Sequence, residues 1–166
     1  MKNDNNKYYK NNGFTLIEVL VALVVLSVGL LGIAALQTKT QQFSRNAYLN
    51  TQATVIAHDM LETMRSNRAG LKAGFYNKPS ATEHKQCFTL AGCSSEEMAQ
   101  HDMFEWIKNV AKTLPAGNAV ICVDSTHDDG TSVAPACDGI GKTYAVKVWW
   151  NNMNANTQRT VTIATF

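Results

Sequence analysis

Charge is what this sequence has least of: only 17% of its 166 residues are Asp, Glu, Lys or Arg, while 45% are hydrophobic. The 15 Lys and Arg residues are scattered and form no cluster interleaved with aromatics, so no nucleic-acid footprint is evident and contact with nucleic acid stays undecided. Chain breakers are missing from one long stretch, with neither Gly nor Pro between Gln37 and Arg68. No CxxC, no phosphate-binding glycine loop and no nucleophile set beside a base occurs, and there is no internal repeat. These absences argue against an enzyme and against a second core in a chain of this length, and no cofactor is implied.

What is present begins with "NNGFTLIEVLVALVVLSVGLLGIAALQ", residues 11–37. From Phe14 to Leu36 the only charge is Glu18, and at about 1.5 Å per residue the run reaches ~34 Å, enough to cross a bilayer core of ~30 Å. The polar segment before it carries Lys2, Lys7 and Lys10 against Asp4; with Lys39 and Arg45 close behind the span, the charge rule favours a cytoplasmic N-terminus only weakly. An ordinary signal peptide has a shorter apolar core followed by a small-residue cleavage site, whereas this one runs straight on into helical pattern. Leu49, Ala53, Ile56, Met60 and Met64 recur at three- and four-residue steps, one buried face of a helix that continues the span. Arg65 and Arg68 suit its last turn and Gly70 its end, so a single helix from Phe14 to about Ala69, ~80 Å long, is expected.

Residues 70–93 are rich in breakers and read as a connecting region. Ser94 and Glu97 make a capping box for a second helix whose stripe is Met103, Trp106, Ile107, Val110 and Leu114, ended by Pro115 and Gly117. The period then changes to two: 118–124, 143–150 and 159–166 read as strands, with Tyr144, Val146, Val148 and Trp150 on one face and Lys147 on the other. The fold class is therefore α+β, a long N-terminal helix packed on a C-terminal antiparallel sheet, with a short helix in the connection.

Cys87, Cys93, Cys122 and Cys137 all follow the apolar span, an even number that fits two disulfides in an oxidising compartment. Three pairings are possible; Cys87 with Cys93 and Cys122 with Cys137 close the short loops and are preferred. Zinc is disfavoured because the spacing is neither CxxC nor accompanied by suitably placed His. Asp124, His127, Asp128, Asp129 and Asp138 crowd one loop; their spacing is not that of a calcium-binding helix–loop–helix, and a solvated loop without metal is expected. His58 and Asp59 are adjacent and point to different helix faces, His84 and His101 have no evident partner, and Trp106, Trp149 and Trp150 are expected in the core.

A short basic leader ending in Gly13, then "FTLIEVLVAL" with Glu four positions after Phe14, then a long apolar helix and a cysteine-bearing β-rich head, resembles the type IV pilin superfamily. Asp102, Trp106, Leu114, Pro115 and Trp149 make it similar, within that superfamily, to minor pilins of the PilV type. The resemblance implies a leader, 1–13, removed by prepilin peptidase between Gly13 and Phe14 with methylation of the new Phe14 amine. It implies a transmembrane half-helix, 14–37, an amphipathic half, 38–69, and a disulfide-bearing head, 70–166. Glu18 would fix register by pairing with the amine of a neighbouring subunit. A lone carboxylate on an apolar helix face rewards one offset over others on physical grounds as well. The expected location is the inner membrane with a periplasmic head, then the extracellular pilus, and the expected partners are other minor pilins and the major pilin. A minor pseudopilin of type II secretion is the alternative. Many major pilins carry a Pro within the span near the position of Ala35; its absence here favours a minor subunit.

Overall fold

The computed structural model describes residues 13–152 and 156–165, in two compact units, Met1–Gln42 and Phe43–Phe166. The segment before Gly13, the centre of the Asn-rich turn and Phe166 lie outside the described residues.

The first unit contains the apolar part of helix α1, which runs Leu16–Ser66. Thr15 opens the helix: its carbonyl accepts the Glu18 N–H at 3.1 Å and its hydroxyl accepts the same N–H at 3.4 Å, satisfying a donor that a helix start leaves free. The side chains here are exposed, Phe14 by 84% and Leu31 by 71%, as a helix needs if its partner is lipid or other helices. The Ser27 hydroxyl donates back to the Val24 carbonyl at 2.8 Å, so its polar group is satisfied within the helix. Among the described residues this is the one helix long and apolar enough to cross a membrane.

In the second unit α1 turns amphipathic. Leu49, Ala53, Ile56, Ala57, Met60, Leu61 and Met64 are buried, which is the expected stripe with two additions. Each large side chain buried in this way contributes roughly 1.5–3 kcal/mol. The helix ends at Ser66, earlier than the sequence suggests. Asn67 leaves helical geometry and starts a short helix α2, Arg68–Lys72, its Oδ1 accepting the Gly70 N–H at 3.1 Å and its Nδ2 donating to the Ser95 carbonyl at 2.8 Å. Gly70 is therefore not a helix terminator. It sits inside α2 because a Cβ there would come within 2.8 Å of the Ser95 carbonyl oxygen, so the glycine lets α2 approach the start of the next helix.

A 3-10 turn at Lys85–Phe88 precedes α3, Ser95–Thr113. The capping box forms as expected, with Glu97 N–H donating to the Ser94 hydroxyl at 3.2 Å and Ser94 N–H to the Glu97 carboxylate at 2.8 Å. Three strands follow, β1 Asn118–Val123, β2 Thr143–Asn151 and β3 Thr157–Thr165, antiparallel in the order β1-β2-β3. Ala119 and Ile121 of β1 and Tyr144, Val146, Val148 and Trp150 of β2 join the α1 stripe, Leu71, Tyr76 and the buried face of α3 in one core. The β1 edge is met by the chain itself, since Lys78 N–H donates to the Ile121 carbonyl and Asn77 Oδ1 accepts the Val123 N–H, each at 3.0 Å.

Every residue from Tyr144 to Trp150 is buried, so β2 is covered on both faces. The second cover is the segment between β1 and β2, which folds back over the outward face of the sheet.

Candidate functional site

Two places carry the chain's unusual chemistry, one in each unit. In the first, Gly13 and Phe14 precede the helix outside any regular element and are exposed, and Glu18 lies in the first turn, where a carboxylate is favoured by the helix dipole. Glu18 shares a shallow hollow with Phe14, Val19, Ala22, Leu23 and Leu26, so its charge lies on an otherwise apolar strip. Gly29 and Gly32 do not interrupt the helix and have nothing within reach of a Cβ.

In the second unit the four cysteines are joined as Cys87–Cys93 and Cys122–Cys137. The first closes a small loop from which Phe88 and Leu90 project, 75% and 109% exposed. The second ties the end of β1 to the segment that covers the sheet. Cys122, Asp124 and Cys137 bring ligand-type atoms within 4.8 Å of one another, but both sulfurs are bonded and offer no thiolate.

The Asp-rich segment is not simply solvated, which corrects the expectation for it. Asp124 is fully buried and paired with Lys147, also fully buried, at 2.5 Å. Lys147 Nζ further meets Asp129 Oδ1 at 3.0 Å and donates to the carbonyls of Pro135 at 2.9 Å and Asp129 at 3.3 Å. Arg159 on β3 donates to the carbonyls of Gly130 and Asp128 at 3.0 and 2.9 Å and pairs with the Asp128 carboxylate at 2.6 Å. The hydrogen bond from Lys147 holds the Asp129 carboxyl below the usual range, and Ser125 does the same for Asp138, which also accepts the Ser125 and Ile140 N–H groups at 3.0 and 2.8 Å. Gly130, at φ +80°, is obligatory: a Cβ would lie 2.3 Å from the Pro135 carbonyl oxygen. Trp149 is buried on this outward face, across from Arg159.

Beside α3, the buried Tyr76 donates its hydroxyl to Asp102. Burial raises both groups, keeping the phenol neutral and the carboxyl above its ordinary value. The histidines without evident partners meet each other, the His84 N–H donating to His101 Nδ1 at 3.0 Å while His84 Nε2 lies 2.7 Å from Gln100 Oε1. His58 and Asp59 remain exposed on α1. The contacts of Lys147, Arg159 and Tyr76 are not foreseen from the sequence. The available signal was a Lys at an alternating position within the apolar run "YAVKVWW", close in sequence to the four acids Asp124, Asp128, Asp129 and Asp138 and to His127.

Compared with known proteins, residues 9–34 match the prokaryotic N-terminal methylation motif, and residues 35–104 match the family model described as type IV pilin Tt1218. No curated protein and no solved structure matches the chain significantly. The two matched stretches adjoin, the first carrying Gly13, Phe14 and Glu18 and the second the amphipathic half of α1, the small disulfide loop and the start of α3. Over residues 9–104, then, the chain is similar in sequence to type IV pilins, and its long apolar helix and three-stranded antiparallel sheet are consistent with the α+β fold of that family.

Proposed function

We propose that this chain is a minor type IV pilin, a structural subunit with no catalytic role that takes part in starting or modifying pilus assembly. Prepilin peptidase removes residues 1–13 and methylates the Phe14 amine; 14–37 anchors the subunit in the inner membrane with its head in the periplasm. Residues 38–69 carry the head, 70–166, into contact with other minor pilins and the major pilin. The observation that carries this reading is Glu18, the only charge between Phe14 and Leu36, exposed in the first turn of an apolar helix inside a methylation-motif match. A carboxylate inside hydrocarbon costs roughly 2.5–3.5 kcal/mol on insertion scales, and pairing with a neighbour's Phe14 amine would neutralise both charges and select one offset between helices.

The test uses a deletion strain and its complemented parent, scoring sheared surface pili and type II secretion substrates side by side. Loss of pili with secretion intact supports the proposal; loss of secretion with normal pili assigns the chain to a secretion pseudopilin instead. Complementation with Glu18→Ala is expected to restore membrane insertion but not incorporation into fibres, and normal incorporation would refute the register role.

A further inference from the structure

The oxygens around Lys147 have the composition of a cation site. Two carboxylates, from Asp124 and Asp129, and two backbone carbonyls, from Asp129 and Pro135, converge on one point from three places in the covering segment. Hard divalent cations are bound by such mixtures of carboxylate and carbonyl oxygens. Here the point is filled by an ammonium on a fully buried side chain of β2, whose three N–H donors go to Asp129 Oδ1 and the carbonyls of Asp129 and Pro135 while its charge pairs with Asp124 Oδ2. The backbone is shaped to this arrangement, because Gly130 admits the Pro135 carbonyl at a distance any Cβ would forbid.

We infer that the 124–139 segment is built around an internal cation site whose resident cation is the Lys147 ammonium, so that the segment is held on the sheet without a metal ion. Asp124 then has its countercharge supplied by the chain. Cys122–Cys137 closes the segment at its ends, Arg159 holds Asp128 and Gly130, and Lys147 holds the middle.

The test compares the full chain in detergent with Lys147→Ala, which empties the site, and Lys147→Met, which fills its volume without charge. The parent should show the same Tm in 5 mM calcium chloride as in EDTA. Both variants should melt roughly 10 °C lower, since each leaves a buried carboxylate uncompensated. Calcium should recover most of the loss for Lys147→Ala and little for Lys147→Met. A parent Tm that responds to calcium or EDTA overturns the inference, as does a Lys147→Ala variant as stable as the parent, or one that calcium does not rescue. Asp129→Asn, altering a half-exposed partner, gives an independent reading: amide exchange should quicken across 124–139 and not in α3, and unchanged exchange in the segment counts against the inference. None of these outcomes depends on whether the chain builds pili.

Discussion

The indole N–H of Trp106, midway along α3, donates to the backbone carbonyl of Ile56, in the amphipathic half of α1, at 3.0 Å, and both side chains are buried. A helical carbonyl has a second lone pair beyond its own turn, and Trp106 uses it to fix where α3 lies along the amphipathic half of α1. Trp106→Phe should keep most of the packing and cost about 1–2 kcal/mol, whereas Trp106→Ala should cost about 3–5 kcal/mol. Denaturant midpoints of the two variants measure this, and equal losses would deny the hydrogen bond a separate contribution.

The covering segment should be intolerant at its glycine. Gly130→Ala combines an unfavourable left-handed backbone with a contact of 2.3 Å to the Pro135 oxygen, one of the four around Lys147. A loss of roughly 1–3 kcal/mol is expected, together with faster amide exchange in the segment. Gly139→Ala has a positive φ but nothing within reach of its Cβ, so it should cost less.

The two disulfides should differ in weight. On the chain-entropy argument, the bridge of sequence separation 15 between Cys122 and Cys137 contributes about 3 kcal/mol and that of separation 6 between Cys87 and Cys93 about 2 kcal/mol. Paired Cys→Ser replacements followed by thermal melting should rank them in that order. The reverse order would mean that the small loop has more native contacts than its exposed Phe88 and Leu90 suggest.

Stability should fall at both ends of the pH scale for nameable reasons. Asp129, Asp138 and Glu97 titrate below their ordinary values, so their contributions are complete above about pH 5 and are lost as pH drops through the lowered folded values. Asp102 has the opposite sign: its raised value means folding is helped by protonation, which softens the acid limb. Tyr76 is also raised, so its contribution is complete below about pH 10 and is lost as the pH climbs through and beyond that value. Melting temperature against pH should show Asp129→Asn flattening the acid limb and Tyr76→Phe flattening the alkaline one; a variant that only lowers the whole curve would remove its residue from the account.

Periodicity made much of the fold legible. The three- and four-residue steps through Leu49, Ala53, Ile56, Met60 and Met64, the Ser94–Glu97 box and the alternation around Tyr144 all describe local geometry, which neighbouring residues determine. Where α1 stops was not legible, because Asn67 breaks the helix through a bond to Ser95 and Gly70 serves an approach to that same residue. Both depend on a partner distant in sequence. The N-terminal motif could be read because its meaning lies in spacing alone, Gly13, Phe14 and Glu18 in order. The Lys147 cage could not, since its oxygens come from three places along a segment whose path only the folded sheet defines.

The single core has a kinetic corollary. Its first residue, Leu49, and its last, Trp150, are about 100 positions apart, and the contacts that unite the α1 stripe with the sheet are almost all non-local. Folding of the head must therefore wait for β2, and a nascent subunit emerging N-terminus first would hold the apolar stripe of α1 without its partner strands. During that interval the stripe is an uncovered apolar surface open to aggregation, and the delay between synthesis of Met64 and of Trp150 sets how long it stays so.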